Sequence, residues 1–179
     1  MLLRPKIELI GVKSERFKEE VEELGGRWLL TREPLKLFPG VFTTGEVERV
    51  TEFERSTLKS FMVKDGKLVE DPLIDDLSLA INLREGLIVI SGCSHAGIVN
   101  IVRKAKNLAK AGKIKAVIGG FHLVNASTER IEKTLKALQK LGVEKVYTGH
   151  CTGLKAECMF AERFKEDFKK LYCGLTVKF

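Results

Sequence analysis

A chain of 179 residues has room for one domain with one sizeable core. Hydrophobic residues make up 44% and charged residues 31%, and 31 Lys and Arg against 24 Asp and Glu give a formal net charge of +7. No apolar run approaches the ~20 residues of a membrane span, no low-complexity tract argues for bulk disorder, and the start MLLRPKIELIG lacks the apolar core and cleavage site of a signal peptide.

The first third is the less regular part. In SERFKEEVEELG the positions Phe17, Val21 and Leu24 repeat at helical spacing, with Ser14 as N-cap and Gly25 as stop. WLLTREPLKLFPGVFTTGEVERVTEFE reads as short strands broken by Pro34 and by the turn Pro39-Gly40. FMVKDGKLVEDP reads as a hairpin, since Asp65-Gly66 sits between two short apolar stretches, and residues 77–83, LSLAINL, alternate like a half-buried strand.

From residue 86 strand and helix alternate. Strand 87–91 (LIVIS) precedes the turn GCSHAG and a helix over roughly 97–112; strand 115–119 (KAVIG) precedes GFHLVNAS and a helix capped by Ser127. Strand 145–149 (KVYTG) precedes HCTG and the helix LKAECMFAERFKEDFKKLY, and CGLTVKF closes the chain as a short strand. Buried strands, crossover helices and short connections define an α/β fold without solenoid repeats.

The three histidines all fall at carboxyl ends of these strands, where open α/β sheets bind ligands: His95 after LIVISGC, His122 after KAVIGGF, His150 after KVYTG. Singly, each reads more readily as a satisfied surface or core histidine. Jointly, three on one sheet edge point to a metal or phosphate site, provided the strands are neighbours. Cys93 and Cys151 flank two of them and are open to two readings, soft ligands or the buried small hydrophobes that free cysteines usually are. Cys158 and Cys173 read as packing residues; with no signal peptide and no CxxC pair, free thiols and a cytoplasmic location are expected. Asp75 and Asp76 before LSLAINL read as a turn first, and as metal or supporting carboxylates second. In HCTGLKAE, Thr152 is a candidate cap of a helix N-terminus, a weak phosphate signal. The lysines lie along amphipathic helices such as RKAKNLAKAGK, so neither a nucleic acid nor a membrane is expected as a partner.

Together, DDLSLAINLREGLIVISGCSHAGIVNIV, IGGFHL and GHCTG resemble the metallo-β-lactamase superfamily, most closely its 7,8-dihydropterin-6-methyl-4-(β-D-ribofuranosyl)aminobenzene-5′-phosphate synthase branch. The likeness extends to GG at 25–26 and PGVFTTGEVERVTEFE at 39–54. It implies a partial αββα sandwich, with the C-terminal half complete and the N-terminal half truncated, residues 1–179 forming one such domain. It further implies a metal-dependent hydrolase-like protein with zinc or another divalent cation, two ions in the complete family enzyme, and a phosphorylated pterin-type substrate. By the resemblance, His95 is a ligand of the first metal and His150 completes the second site. His122 stands where many members place a bridging aspartate, so it contacts metal or substrate phosphate; Cys93, Asp75 and Asp76 are further candidates for such contacts. The superfamily's HxHxDH motif is absent. Activity is therefore expected only when another chain supplies that N-terminal part. The alternatives are a non-catalytic homo-oligomer and a metal-free module binding phosphate or a small molecule. The branch implies tetrahydromethanopterin biosynthesis in an archaeal cytoplasm, and the richness in Lys and Glu fits a thermophile.

Overall fold

The computed structural model describes residues 16–54 and 60–179. The chain divides into two units, Met1–Thr31 and Arg32–Phe179. In the first, α1 (Phe17–Glu23) carries the expected periodicity, and Phe17 packs its ring on Trp28 with centroids 5.7 Å apart. The expected cap, Ser14, lies outside the described residues.

In the second unit, Pro39-Gly40 turns β1 (Lys36–Phe38) into the antiparallel β2 (Val41–Thr43). Asp65-Gly66 turns β3 (Phe61–Lys64) into β4 (Lys67–Glu70), a separate two-stranded hairpin. The main sheet continues with β5 (Ser78–Leu83), β6 (Gly86–Ser91), β7 (Ile114–Gly119), β8 (Val143–Thr148) and β9 (Phe168–Lys170). Its order is β1-β2-β5-β6-β7-β8-β9, antiparallel as far as β6 and parallel from β6 to β9. Three helices make the crossovers: α2 (Ile98–Ala109), α3 (Thr128–Lys140) and α4 (Leu154–Phe164).

Each parallel strand lies beside its predecessor, and the three helices bury one shared cluster with the sheet, including Val89, Val117, Val146, Ile101, Leu135 and Phe160. Alternation along β6 sends Leu87 and Val89 to that cluster and Ile88 to the other face, where Ala116 and Tyr147 are also buried. Ser127 caps α3 as expected, accepting from Arg130 N at 3.2 Å. No helix among the described residues is long and apolar enough to cross a membrane.

The end of the chain departs from the reading above. Helix α4 stops at Phe164, where Lys165 takes φ 51°, and Phe168 opens β9 beside Val146. Phe160, Phe164 and Phe168 are spaced four apart, so they satisfy a helical period; a strand delivers Phe168 to the same core just as well. Residues 173–179 form no strand. Their alternation instead lays Leu175 and Val177 on the second face of the sheet, and Phe179 meets Tyr147 with ring centroids 5.9 Å apart.

Candidate functional site at the carboxyl edge of the parallel sheet

Three loops leave the sheet side by side: 92–97 after β6, 120–127 after β7 and 149–153 after β8. Buried hydrogen bonds tie them together. Ser94 Oγ donates to Gly120 O (2.6 Å), and Gly120 N donates to Gly92 O (2.8 Å). Thr148 Oγ1 donates to Gly119 O (2.7 Å), which leaves Thr152 as donor in the 2.6 Å contact between the two threonines. Phe121 N donates to Thr152 Oγ1, and Leu123 N and Val124 N both donate to Cys151 O. Ser94, His122 and His150 all adopt left-handed backbone (φ 57°, 48° and 54°), an uncommon choice for residues with a Cβ that such a bonded frame can hold.

The frame brings the histidines together in two adjoining groups. His95 and His122 meet edge to face with ring centroids 4.7 Å apart. His122 Nδ1 is buried without a hydrogen-bond partner among the described residues. Burial, followed by the positive charges of His95, Arg130 and His150, holds the His122 imidazole below its ordinary pKa, with Asp76 pulling the other way. Asp76 is fixed by accepting from Ala96 N at 2.9 Å. Asp75 is exposed in the turn before β5.

On the other side, exposed His150 places Nε2 3.3 Å from Cys93 Sγ, and Cys151 Sγ donates to Cys93 O at 3.5 Å. Burial, reinforced by the neighbouring Cys93, pushes the Cys151 thiol up to about 11. The ligand atoms of Cys93, His150 and Cys151 all lie within 4.8 Å of one another. Gly120 makes this possible, because a Cβ there would stand 2.6 Å from Cys151 Sγ and 3.0 Å from Gly92 O. Cys158 and Cys173 are exposed and lie elsewhere, in α4 and in the terminal segment.

Glu54, which composition and spacing do not single out, supports this edge from beneath. It is 3% exposed, and its two oxygens accept from Val99 N (2.8 Å) and Asn100 N (2.9 Å) at the start of α2. It thereby does the work of an N-cap side chain that Gly97 lacks, and Gly97 (φ 95°) has no room for a Cβ beside it. Burial drives the Glu54 carboxyl up to about 7 despite these bonds and the charges of Arg130 and Arg103. These two N–H groups of α2 are thus already engaged. Arg130, in the first turn of α3, lies in the electrostatic reach of both Glu54 and His122. Nothing in the local spelling around Glu54 marks it; its partners are about 45 residues further along the chain.

The donor set fits a divalent cation. It combines imidazoles and thiols on a shared edge, an unpartnered buried ring nitrogen, and a hollow that only glycine leaves open.

No family model matches the chain. It is 48% identical over 178 residues to the 7,8-dihydropterin-6-methyl-4-(β-D-ribofuranosyl)-aminobenzene-5′-phosphate synthase of Methanocaldococcus jannaschii, an alignment covering 98% of this chain and 60% of that one. An uncharacterised protein of the same organism is 36% identical over 127 residues, 71% of this chain and 46% of the other. Among solved structures, the crystal structure of a metal-dependent hydrolase of the β-lactamase superfamily matches with a TM-score of 0.74 at 33% identity. That match covers 86% of this chain and 59% of the other. The chain spans 60% or less of the length of each of these three proteins.

Proposed function

Because this chain carries part of the metallo-β-lactamase fold and is related to a dihydropterin-ribofuranosyl-aminobenzene phosphate synthase, we propose that its histidine edge is one side of a divalent-metal centre serving a phosphorylated, pterin-type substrate. The observation that carries this reading is the convergence of all three histidines of the chain from three neighbouring strand ends, with His122 Nδ1 buried and without a partner among the described residues. His95 and His150 would hold the metal. A divalent cation in such a site supplies Lewis-acid polarisation of an oxygen, or lowers the pKa of a bound water.

The chain's own residues prepare the ground. His122, kept neutral by burial, offers Nδ1 either as a ligand or as a donor to a phosphate oxygen. Asp76 is oriented by the Ala96 amide and lies within electrostatic reach of His122. Arg130 and the net charge of +7 favour an anionic substrate. Three protein ligands and an open position are the usual minimum for a catalytic zinc, and a two-metal centre needs more. The remaining ligands would come from the part of the relatives that this chain does not span.

The test is to co-express the chain with a polypeptide matching that remaining part, then measure metal content and turnover of phosphorylated pterin compounds. Stoichiometric metal in the pair, lost in His95→Ala, is expected. A well-folded pair without bound metal refutes the reading.

A second reading, a non-catalytic homo-oligomer, draws on the apolar side chains that the hairpin leaves in solvent, Phe61, Val63 and Leu68. Light scattering together with metal analysis separates the two: a stable dimer with substoichiometric metal favours the oligomer.

A further inference from the structure

We propose that Cys93, Cys151 and His150 form a soft-cation site that this chain assembles by itself, taking a thiophilic divalent ion such as zinc on two sulfurs and one imidazole nitrogen. The site goes beyond the reading above. It shares His150 with the histidine centre, but all three of its ligands come from two loops of one chain, those after β6 and β8 on either side of the loop after β7, and it needs nothing from a second polypeptide.

The geometry is close to what tetrahedral coordination asks. With zinc–sulfur bonds of about 2.3 Å and zinc–nitrogen bonds of about 2.05 Å, two ligands of a tetrahedron stand about 3.6 Å apart for sulfur and nitrogen and about 3.8 Å for two sulfurs. Cys93 Sγ and His150 Nε2 are 3.3 Å apart, and no pair in the group exceeds 4.8 Å. Side-chain rotations of about an ångström or less close the remaining gap.

The backbone beneath is already committed. Cys151 O is held by two amides, and Thr148 and Thr152 lock the turn that carries His150 and Cys151. The missing side chain of Gly120 leaves the hollow that the Cys151 sulfur occupies, so the position of the thiol is built in rather than incidental. Exposed His150 leaves a path for an ion to enter and a fourth position open to solvent. Two sulfurs and an imidazole select zinc, or cobalt and cadmium as its probes, over magnesium and calcium, which take oxygen ligands. His95 and His122 pack against each other outside this group and are not required by it.

The experiment is an anaerobic titration of the full chain with cobalt(II) under a phosphine reductant, which keeps Cys93 and Cys151 as thiols. Expected is about one equivalent of cobalt, a near-ultraviolet thiolate-to-cobalt charge-transfer band, and displacement of that band by zinc. The band should weaken in Cys93→Ser and in Cys151→Ser, vanish in the double variant, and persist in His95→Ala and in Cys158→Ser/Cys173→Ser. Circular dichroism of each variant separates loss of the band from loss of fold. The proposal is overturned if no cobalt binds, if cobalt binds without the band, or if the band survives in the folded double variant. Cobalt bound without a thiolate band and released by His95→Ala overturns this site while supporting the histidine centre. A thiolate band on the chain, alongside a reconstituted pair without metal-dependent turnover, leaves this site standing and removes the catalytic reading.

Discussion

Glu54 offers the sharpest physical test of the structure. Replacing it by alanine removes the acceptors of two buried amides, Val99 N and Asn100 N, bonded at 2.8 and 2.9 Å in a spot that is 3% exposed. A buried donor left without a partner costs about 1–3 kcal/mol and two are left here, so Glu54→Ala should lose about 3 kcal/mol. In a chain of this size that lowers Tm by about 6–12 °C.

Glu54→Gln removes the titration at nearly constant shape; its NH2 cannot accept, so one of the two amides loses its partner, a loss that does not vary with pH. The native carboxyl keeps its proton up to about pH 7, whereas the unfolded one releases it near 4.5. Between those values the folded state binds more protons than the unfolded state. The wild type therefore loses stability from this group as pH rises through the window, and the loss levels off above it; the total is about 3 kcal/mol. The glutamine variant lacks that slope. Its stability relative to wild type should climb by up to about 3 kcal/mol between pH 4.5 and 8, read by urea denaturation at each pH. A difference that stays constant over that range, or a Glu54→Ala variant within about 0.5 kcal/mol of wild type, would refute the account of a buried, protonated cap.

Two further expectations concern the site. In Gly120→Ala the new Cβ collides with Cys151 Sγ and Gly92 O, which should cost about 1–3 kcal/mol in thermal unfolding and weaken cobalt binding; wild-type behaviour in both would show that the hollow is not needed. His122 should titrate by NMR below 6.5, because burial and three positive neighbours disfavour its imidazolium. Its folded-state pKa is depressed, so its contribution to stability is full above 6.5 and declines as pH falls below that value; a midpoint at or above 6.5 contradicts the burial of the ring.

Strand and helix alternation from residue 86 onward was legible because each element is written locally, in β-branched runs such as LIVIS, helical periodicity and the Ser127 cap. That legibility extended to the histidines, since a residue directly after a strand must lie at its carboxyl end whatever the sheet order. It failed where one spacing serves two structures. Phe160, Phe164 and Phe168 fit a continuous helix as well as a helix followed by β9, and pairing with Val146 decides in favour of the latter. The alternation of Leu175 and Val177 fits a strand, yet they lie as a covering over Tyr147 and its neighbours.

By itself, then, the sequence determined that His95, His122 and His150 stand on one edge of an α/β sheet, because the strand–turn–helix grammar that places them acts over a few residues. Whether those rings meet was decided by the tertiary structure, which makes β6, β7 and β8 consecutive neighbours and locks their loops with hydrogen bonds that span 29 and 31 residues. The same long-range order put Cys93 beside Cys151, 58 residues apart, and Glu54 under α2. Pairings of that kind depend on the closing of long loops around a common core, and no local pattern of residues encodes them.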